Sequence, residues 1–128
     1  MRNLIKLLTI TLVSFVLIGC NTVKTTMFQT YEWKAEKNDY WTDGNTYEKK
    51  IKFHLSSEEV SFKLDQKYTM KVISVSESED ENGDVVIYDC IMDGQPFRVV
   101  HYVDMNTILM YEQMMDEGRF ETFVIFGN

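Results

Sequence analysis

The chain has 128 residues, 13 of them basic and 20 acidic, for a net charge of −7, with a single proline and two cysteines. That length suits about one domain. A balance this acidic repels phosphate backbones and anionic head groups, which sets nucleic acid aside as a partner.

Residues 1–6 carry Arg2 and Lys6 and no acid, and residues 7–18 are almost wholly Leu, Ile, Val, Phe, Thr and Ser. This is the order of a charged n-region and an apolar h-region in an export signal. A spanning helix needs roughly 20 apolar residues, so a run of about a dozen makes a poor permanent span. The run ends in Leu17-Ile18-Gly19-Cys20, which resembles the lipobox of bacterial lipoproteins, with Leu three positions before the Cys and a small Gly directly before it. The resemblance covers residues 1–20 alone. It implies a thioether-linked diacylglycerol on Cys20, cleavage after Gly19, palmitate-type acyl chains, and a place in the bacterial cell envelope on a membrane outside the cytoplasm. Each buried methylene contributes about 0.8 kcal/mol, so the two or three chains of a lipoprotein anchor it stably.

On that reading residues 1–19 are a signal peptide, residues 20–27 are the lipidated Cys and a short tether, and residues 28–128 are one domain. The tether reaches at most about 20–25 Å from the bilayer. Loss of Arg2 and Lys6 leaves eleven basic residues against twenty acidic ones, a charge near −9 on the mature chain. With Cys20 acylated, Cys90 has no disulfide partner in the chain. It lies in an apolar strand pattern and reads as a small buried hydrophobe.

Beyond the tether no long 3.6-residue apolar stripe occurs. Short period-two runs rich in Val, Ile, Phe, Tyr and Thr recur between turn residues, which predicts an all-β domain. Strands are expected over residues 28–35, 47–55, 59–64, 68–77, 84–92, 97–103, 107–113 and 120–126. Eight short strands in succession suit an antiparallel meander, barrel or sandwich, and the strand count and turns resemble lipocalins in architecture, without their sequence signatures.

Two turns predict a register. Asn82-Gly83 as a two-residue type I′ loop pairs Glu81 with Asp84 and sets Val75 against Cys90. Asp93-Gly94 gives the next hairpin, with Cys90 opposite Phe97 and Asp89 opposite Arg98, an opposite-charge pair that favours this alignment. One face then collects Ile73, Val75, Tyr88, Cys90, Phe97 and Val99, and the other Ser74, Ser76, Asp89 and Arg98. Residues 108–110 and 123–126 are apolar on both faces, as in a central strand, a strand covered by another segment, or a partner or membrane contact.

Chemistry is sparse. His54 falls on a polar strand face. His101 faces inward opposite Val86 and near Tyr88, but lies some four strand residues from Cys90, roughly 13 Å, too far for a thiol and base pair. No HxxH, HExxH or CxxC motif supplies metal ligands, and no metal or cofactor is expected. The acidic stretch 77–84 reads as a solvated hairpin tip whose charge protects a sheet edge. Phe53, Tyr88, His101 and Tyr111 are the candidates for lining a ligand space inside a barrel, and Trp33, Tyr40 and Trp41 for its mouth or for a protein contact.

The reading is a noncatalytic binding or interaction module, tethered through acylated Cys20 and holding a small apolar ligand in a β-barrel. Its rival is a protein-facing inhibitor, immunity or exclusion factor whose acidic surface steers a cationic envelope protein toward it. An uncharacterised hydrolase is the remaining alternative, and it lacks a readable nucleophile, base and stabiliser.

Overall fold

The structure is a computed structural model that describes residues 20–42, 44–112 and 122–128. Nine strands follow one another: β1 (Cys20–Lys34), β2 (Asp39–Trp41), β3 (Tyr47–Ser56), β4 (Glu59–Lys63), β5 (Lys67–Asp80), β6 (Gly83–Met92), β7 (Gln95–Tyr102), β8 (Thr107–Glu112) and β9 (Thr122–Gly127). Every neighbour pair is antiparallel, in the order β2-β1-β3-β4-β5-β6-β7-β8-β9, and β1 also pairs with β9. Eight strands therefore close into an up-and-down barrel, and β2 is an extra strand on β1. The all-β expectation holds, and the barrel is the form it takes. The expected strand ends at Gln113 and Phe120, like the signal peptide, lie outside the described residues.

Closure depends on β1 serving two partners. Its first half runs against β3, from Cys20 opposite Ser56 to Phe28 opposite Tyr47, and residues from Met27 to Glu32 run against β9. A register shift between Thr25 and Met27 bends the strand where it changes neighbour. Residues 20–27, expected as a tether, are thus the first half of a barrel strand. The run is polar apart from Val23 and Met27, yet Val23 and Thr25 are buried and the Thr25 hydroxyl donates to the Ile51 carbonyl at 3.5 Å. An inward threonine whose hydroxyl is satisfied by the neighbouring strand costs little, so the weak apolar signal concealed a strand.

The two-residue alternation fills the interior. Ile51, Phe53 and Leu55 of β3, Val60 and Phe62 of β4, Tyr88 and Cys90 of β6 and Ile108 and Met110 of β8 all join the core, with Phe126 of β9. Phe53 sits at its centre, fully buried, with ring centroids 5.1 Å from Phe62 and 4.9 Å from Phe126 in an edge-on contact. The β6–β7 hairpin forms as expected. Asp93 and Gly94 both take positive φ, Cys90 pairs with Phe97, and Arg98 Nε lies 2.7 Å from Asp89 Oδ1.

The β5–β6 hairpin corrects the other register. Asp80 pairs with Gly83, so the turn residues are Glu81 and Asn82, and Val75 stands opposite Tyr88 instead of Cys90. Neither Glu81 nor Asn82 has positive φ, and Gly83 after them has φ 101°, so the turn is not type I′. Farther along β5 the register shifts between Val72 and Ser74, and Ile73 is the extra residue, 59% exposed. Ile73 is therefore outside the barrel, while Val72 and Val75 on either side pack against its core.

Candidate functional site

Three of the four residues expected to line the interior meet there. Phe53 and Tyr88 are fully buried, His101 is 5% exposed, and His101 pairs with Val86 two positions from Tyr88, as the hairpin register predicted. Tyr111 is corrected: Ile108 and Met110 are the inward residues of β8, so Tyr111 belongs to the outer wall, where it is the strand partner of Arg98 and Phe123. There the Tyr111 and Asp89 side chains both hold the Arg98 guanidinium in its charged form.

Side chains occupy the interior. Phe53, Leu55, Met70, Tyr88, Ile108 and Phe126 are among the largest fully buried groups, and they converge on one core from five different strands. Small eight-stranded barrels have room for their own side chains and little more. Among the described residues, His101 Nδ1 in this core has no hydrogen-bond partner, and Tyr88 Oη is influenced by the Asn21 side chain without a well-formed hydrogen bond. Burial pushes the Tyr88 phenol up to about 12, with the Asn21 side chain offsetting part of that, and burial pushes His101 down, so it stays neutral near pH 7.

Cys90 faces the same interior. Burial raises its thiol to about 12, and Sγ donates to the Tyr88 carbonyl at 3.6 Å. A thiol so protonated is a poor nucleophile. Cys90 pairs with Phe97 and His101 with Val86, four residues apart along β6, so the two are not neighbours. Among the described residues no three His, Cys, Asp or Glu side chains gather as a metal site would require.

Two of the expected mouth residues are corrected: Trp33 and its strand partner Tyr40 follow the outward phase of β1, because Phe28, Val124 and Phe126 pack inward on the same strand pair, whereas Trp41 pairs with Glu32 on the other face. Trp33 meets Tyr40 edge-on at 5.3 Å, Tyr40 meets Phe123 at 4.9 Å, and Phe123 stacks on Tyr31 at 4.7 Å. Trp41 is 42% exposed, with the Lys34 and Lys37 ammonium groups each 5.9 Å from its ring. Val85 and Val100 are also buried without belonging to the interior core, so the wall of β6 to β9 is apolar on both sides. Tyr31 and Phe123 were hidden from sequence reading because their contact joins positions about ninety residues apart, on strands paired only by closure of the barrel.

Two of the grooves that flank the barrel carry charged side chains. One, of about 400 Å³, is lined by Asn21, Glu77, Ser78, Asp84, Val85, Val86 and Val103. The acidic hairpin and the start of β1 therefore share one end of the barrel. The other, of about 410 Å³, is lined by Lys49, Lys50, Lys52, His54, Lys63 and Lys67 together with Ser61, Phe62 and Leu64. A cationic groove on so acidic a chain was not expected from net charge. Its sequence signal was the run of lysines in residues 49–52 and 63–67, separated by a strand and a turn. Comparison with known proteins adds no relative to these features: no family model, curated protein or solved structure matches the chain.

Proposed function

We propose that this protein is a noncatalytic interaction module, held at a bacterial envelope membrane through acylated Cys20 and binding an envelope protein through its outer aromatic patch. One observation carries the reading: the barrel's interior is taken up by its own side chains, while Tyr31, Trp33, Tyr40 and Phe123 are gathered on the outside. Tyrosine, tryptophan and phenylalanine rings packed on one another have the composition of an interface hot spot. This moves the balance from the apolar-ligand reading toward the protein-facing one, an inhibitor, immunity or exclusion factor. Protonated Cys90, remote from His101, supports a noncatalytic role.

A photo-crosslinking residue placed at Tyr31 tests the reading in envelope fractions. The expected result is a discrete adduct at Tyr31, lost when Trp33→Ala and Tyr40→Ala are added, and none when the crosslinker stands at exposed Ile91 on β6. Absence of any adduct, together with a rise in the unfolding temperature of the intact protein on adding a fatty acid or another small apolar compound, would return the function to the barrel interior.

A further inference from the structure

The lysine groove and the lipid-anchor position belong to the same wall of the barrel. Cys20 pairs with Ser56, Thr22 with His54 and Lys24 with Lys52, so Cys20 shares the strand phase of Thr22 and Lys24, both exposed. On β3 the outward residues Lys50, Lys52 and His54 are exposed in turn, and β4 and β5 continue the wall with Lys63 opposite Lys67. Two lysine pairs thus stand directly across strands, Lys24 with Lys52 and Lys63 with Lys67. Like charges so placed repel and destabilise a sheet. Among the described residues the ion pairs are Lys34 with Glu32 and Arg98 with Asp89, so no groove lysine is neutralised in one. Lys49 donates to the Leu64 carbonyl at 2.8 Å, and Asp65 acts on it at longer range.

We propose that this wall lies flat on an anionic bilayer, with Lys50, Lys52, His54, Lys63 and Lys67 against acidic head groups beside the acyl chains on Cys20. The orientation rests on the lipoprotein reading, and the charge distribution selects it. Because β1 begins at Cys20 there is no tether to let the domain turn freely. Standing on its end, the barrel would press Glu77 and Asp84 of the groove beside Asn21 into the head groups, along with Asp104, whose carboxylate accepts from the Asp84 amide at 3.4 Å. Lying on its side, it relieves both lysine pairs and turns most of that acidic tip away. An acyl anchor joined to a polybasic surface is a two-signal membrane attachment, in which each lysine at an anionic surface is worth a factor of about five in partitioning.

The test uses the mature acylated protein in vesicles of phosphatidylcholine alone or with phosphatidylglycerol, acetylated briefly at its amines and read by mass spectrometry. Lys50, Lys52, Lys63 and Lys67 are expected to react about fivefold or more slowly on the anionic vesicles, Lys34 and Lys37 equally on both, and the protection to vanish in molar salt. Equal reactivity of the groove lysines on both vesicle types, with the protein floating on both, overturns the orientation and leaves the anchor standing. If the protein fails to float with phosphatidylcholine, the anchor is wrong. In that case flotation with phosphatidylglycerol vesicles that Lys50→Glu with Lys52→Glu abolishes still supports the wall, and no flotation overturns it. Protection by inorganic phosphate and not by anionic vesicles also overturns it, in favour of a free anion.

Discussion

Replacing Phe53 by alanine asks whether the barrel is a container or a core. The ring is fully buried and touches Phe62 at 5.1 Å and Phe126 at 4.9 Å, so its removal leaves a gap walled by rings from β4 and β9. Truncation of a buried Phe costs about 3–5 kcal/mol, and each lost aromatic pair accounts for roughly 0.5–1.5 kcal/mol beyond its area. Rings held by a closed barrel cannot collapse far, which places Phe53→Ala near the upper half of that range, about 4 kcal/mol. A domain of this size has about 5–15 kcal/mol in total, so the variant folds with little in reserve and its midpoint falls by roughly 15–30 °C. The new cavity, on the order of 100 Å³ and apolar, should stay dry and take up benzene, as engineered cavities of that kind do. Urea and thermal unfolding with and without benzene measure both effects: benzene should raise the midpoint of Phe53→Ala and leave the unsubstituted protein unmoved. A loss below about 1 kcal/mol, or stabilisation of the unsubstituted protein by benzene, would mean that the interior is already open and would refute the filled-core reasoning.

Three further outcomes follow from single residues. Burial lowers the His101 pKa, so the unfolded chain binds a proton that the folded one does not, and stability falls as pH drops below about 6.5, by up to about 1.4 kcal/mol per pH unit until the folded pKa is reached; His101→Phe should flatten that segment in urea titrations at successive pH values. Gly83→Ala should lose about 1–3 kcal/mol, since φ is 101° and the added Cβ would run into the Asp104 carboxylate, whereas Gly94→Ala at φ 77° meets open space and should lose less; adding Asp104→Ala should restore part of the first loss and none of the second. Cys90, buried and raised to about 12, should not react with a thiol reagent in the native protein and should react fully in urea, with a rate that follows unfolding.

What was legible in the sequence was whatever a local rule decides. Asp93-Gly94 could be read because both of its residues accept positive φ, and the Asp89–Arg98 pair confirmed the alignment independently. Asn82-Gly83 offered the same letters but settled differently, with Glu81 in the turn and Gly83 opening β6, where Asp80 Oδ1 accepts from the Asn82 amide at 2.7 Å. The shift is by two residues, so it kept the inward phase of β6. The extra residue in β5 did not keep phase, and it alone moved Ile73 from the core to the surface, because one inserted residue reverses every later position. The head of β1 was hidden by composition: Asn21, Thr22, Lys24 and Thr26 are polar, and the inward pair Val23 and Thr25 is too short an apolar signal to see. Of the candidate site, the inward placement of His101 and Tyr88 followed from register. Tyr111 failed by one step of alternation, and Trp33 failed because its outward phase is set downstream of the bend in β1.

Net charge misled for a different reason. At physiological salt the Debye length is about 8 Å, so a surface responds to the charges near a ligand and not to the sum over the chain. Residues 77–84 contribute five of the acids in one hairpin, and the groove collects five lysines on three adjacent strands. Averaging the two gives an acidic protein with no affinity for anions, when the barrel has an acidic end and a basic wall. The lysines lie at 49–52 on β3 and at 63–67 from β4 into β5, and antiparallel pairing brings Lys63 back beside Lys67 while the Thr22–His54 and His54–Ser61 registers align the strands around them. A cationic groove made this way must show its own salt dependence: ionic strength that weakens the attraction of the acidic hairpin for a cationic protein will also release the lysine wall from acidic head groups. The two surfaces separate by mutation, because Lys50→Glu should weaken only the second effect and Glu79→Lys only the first.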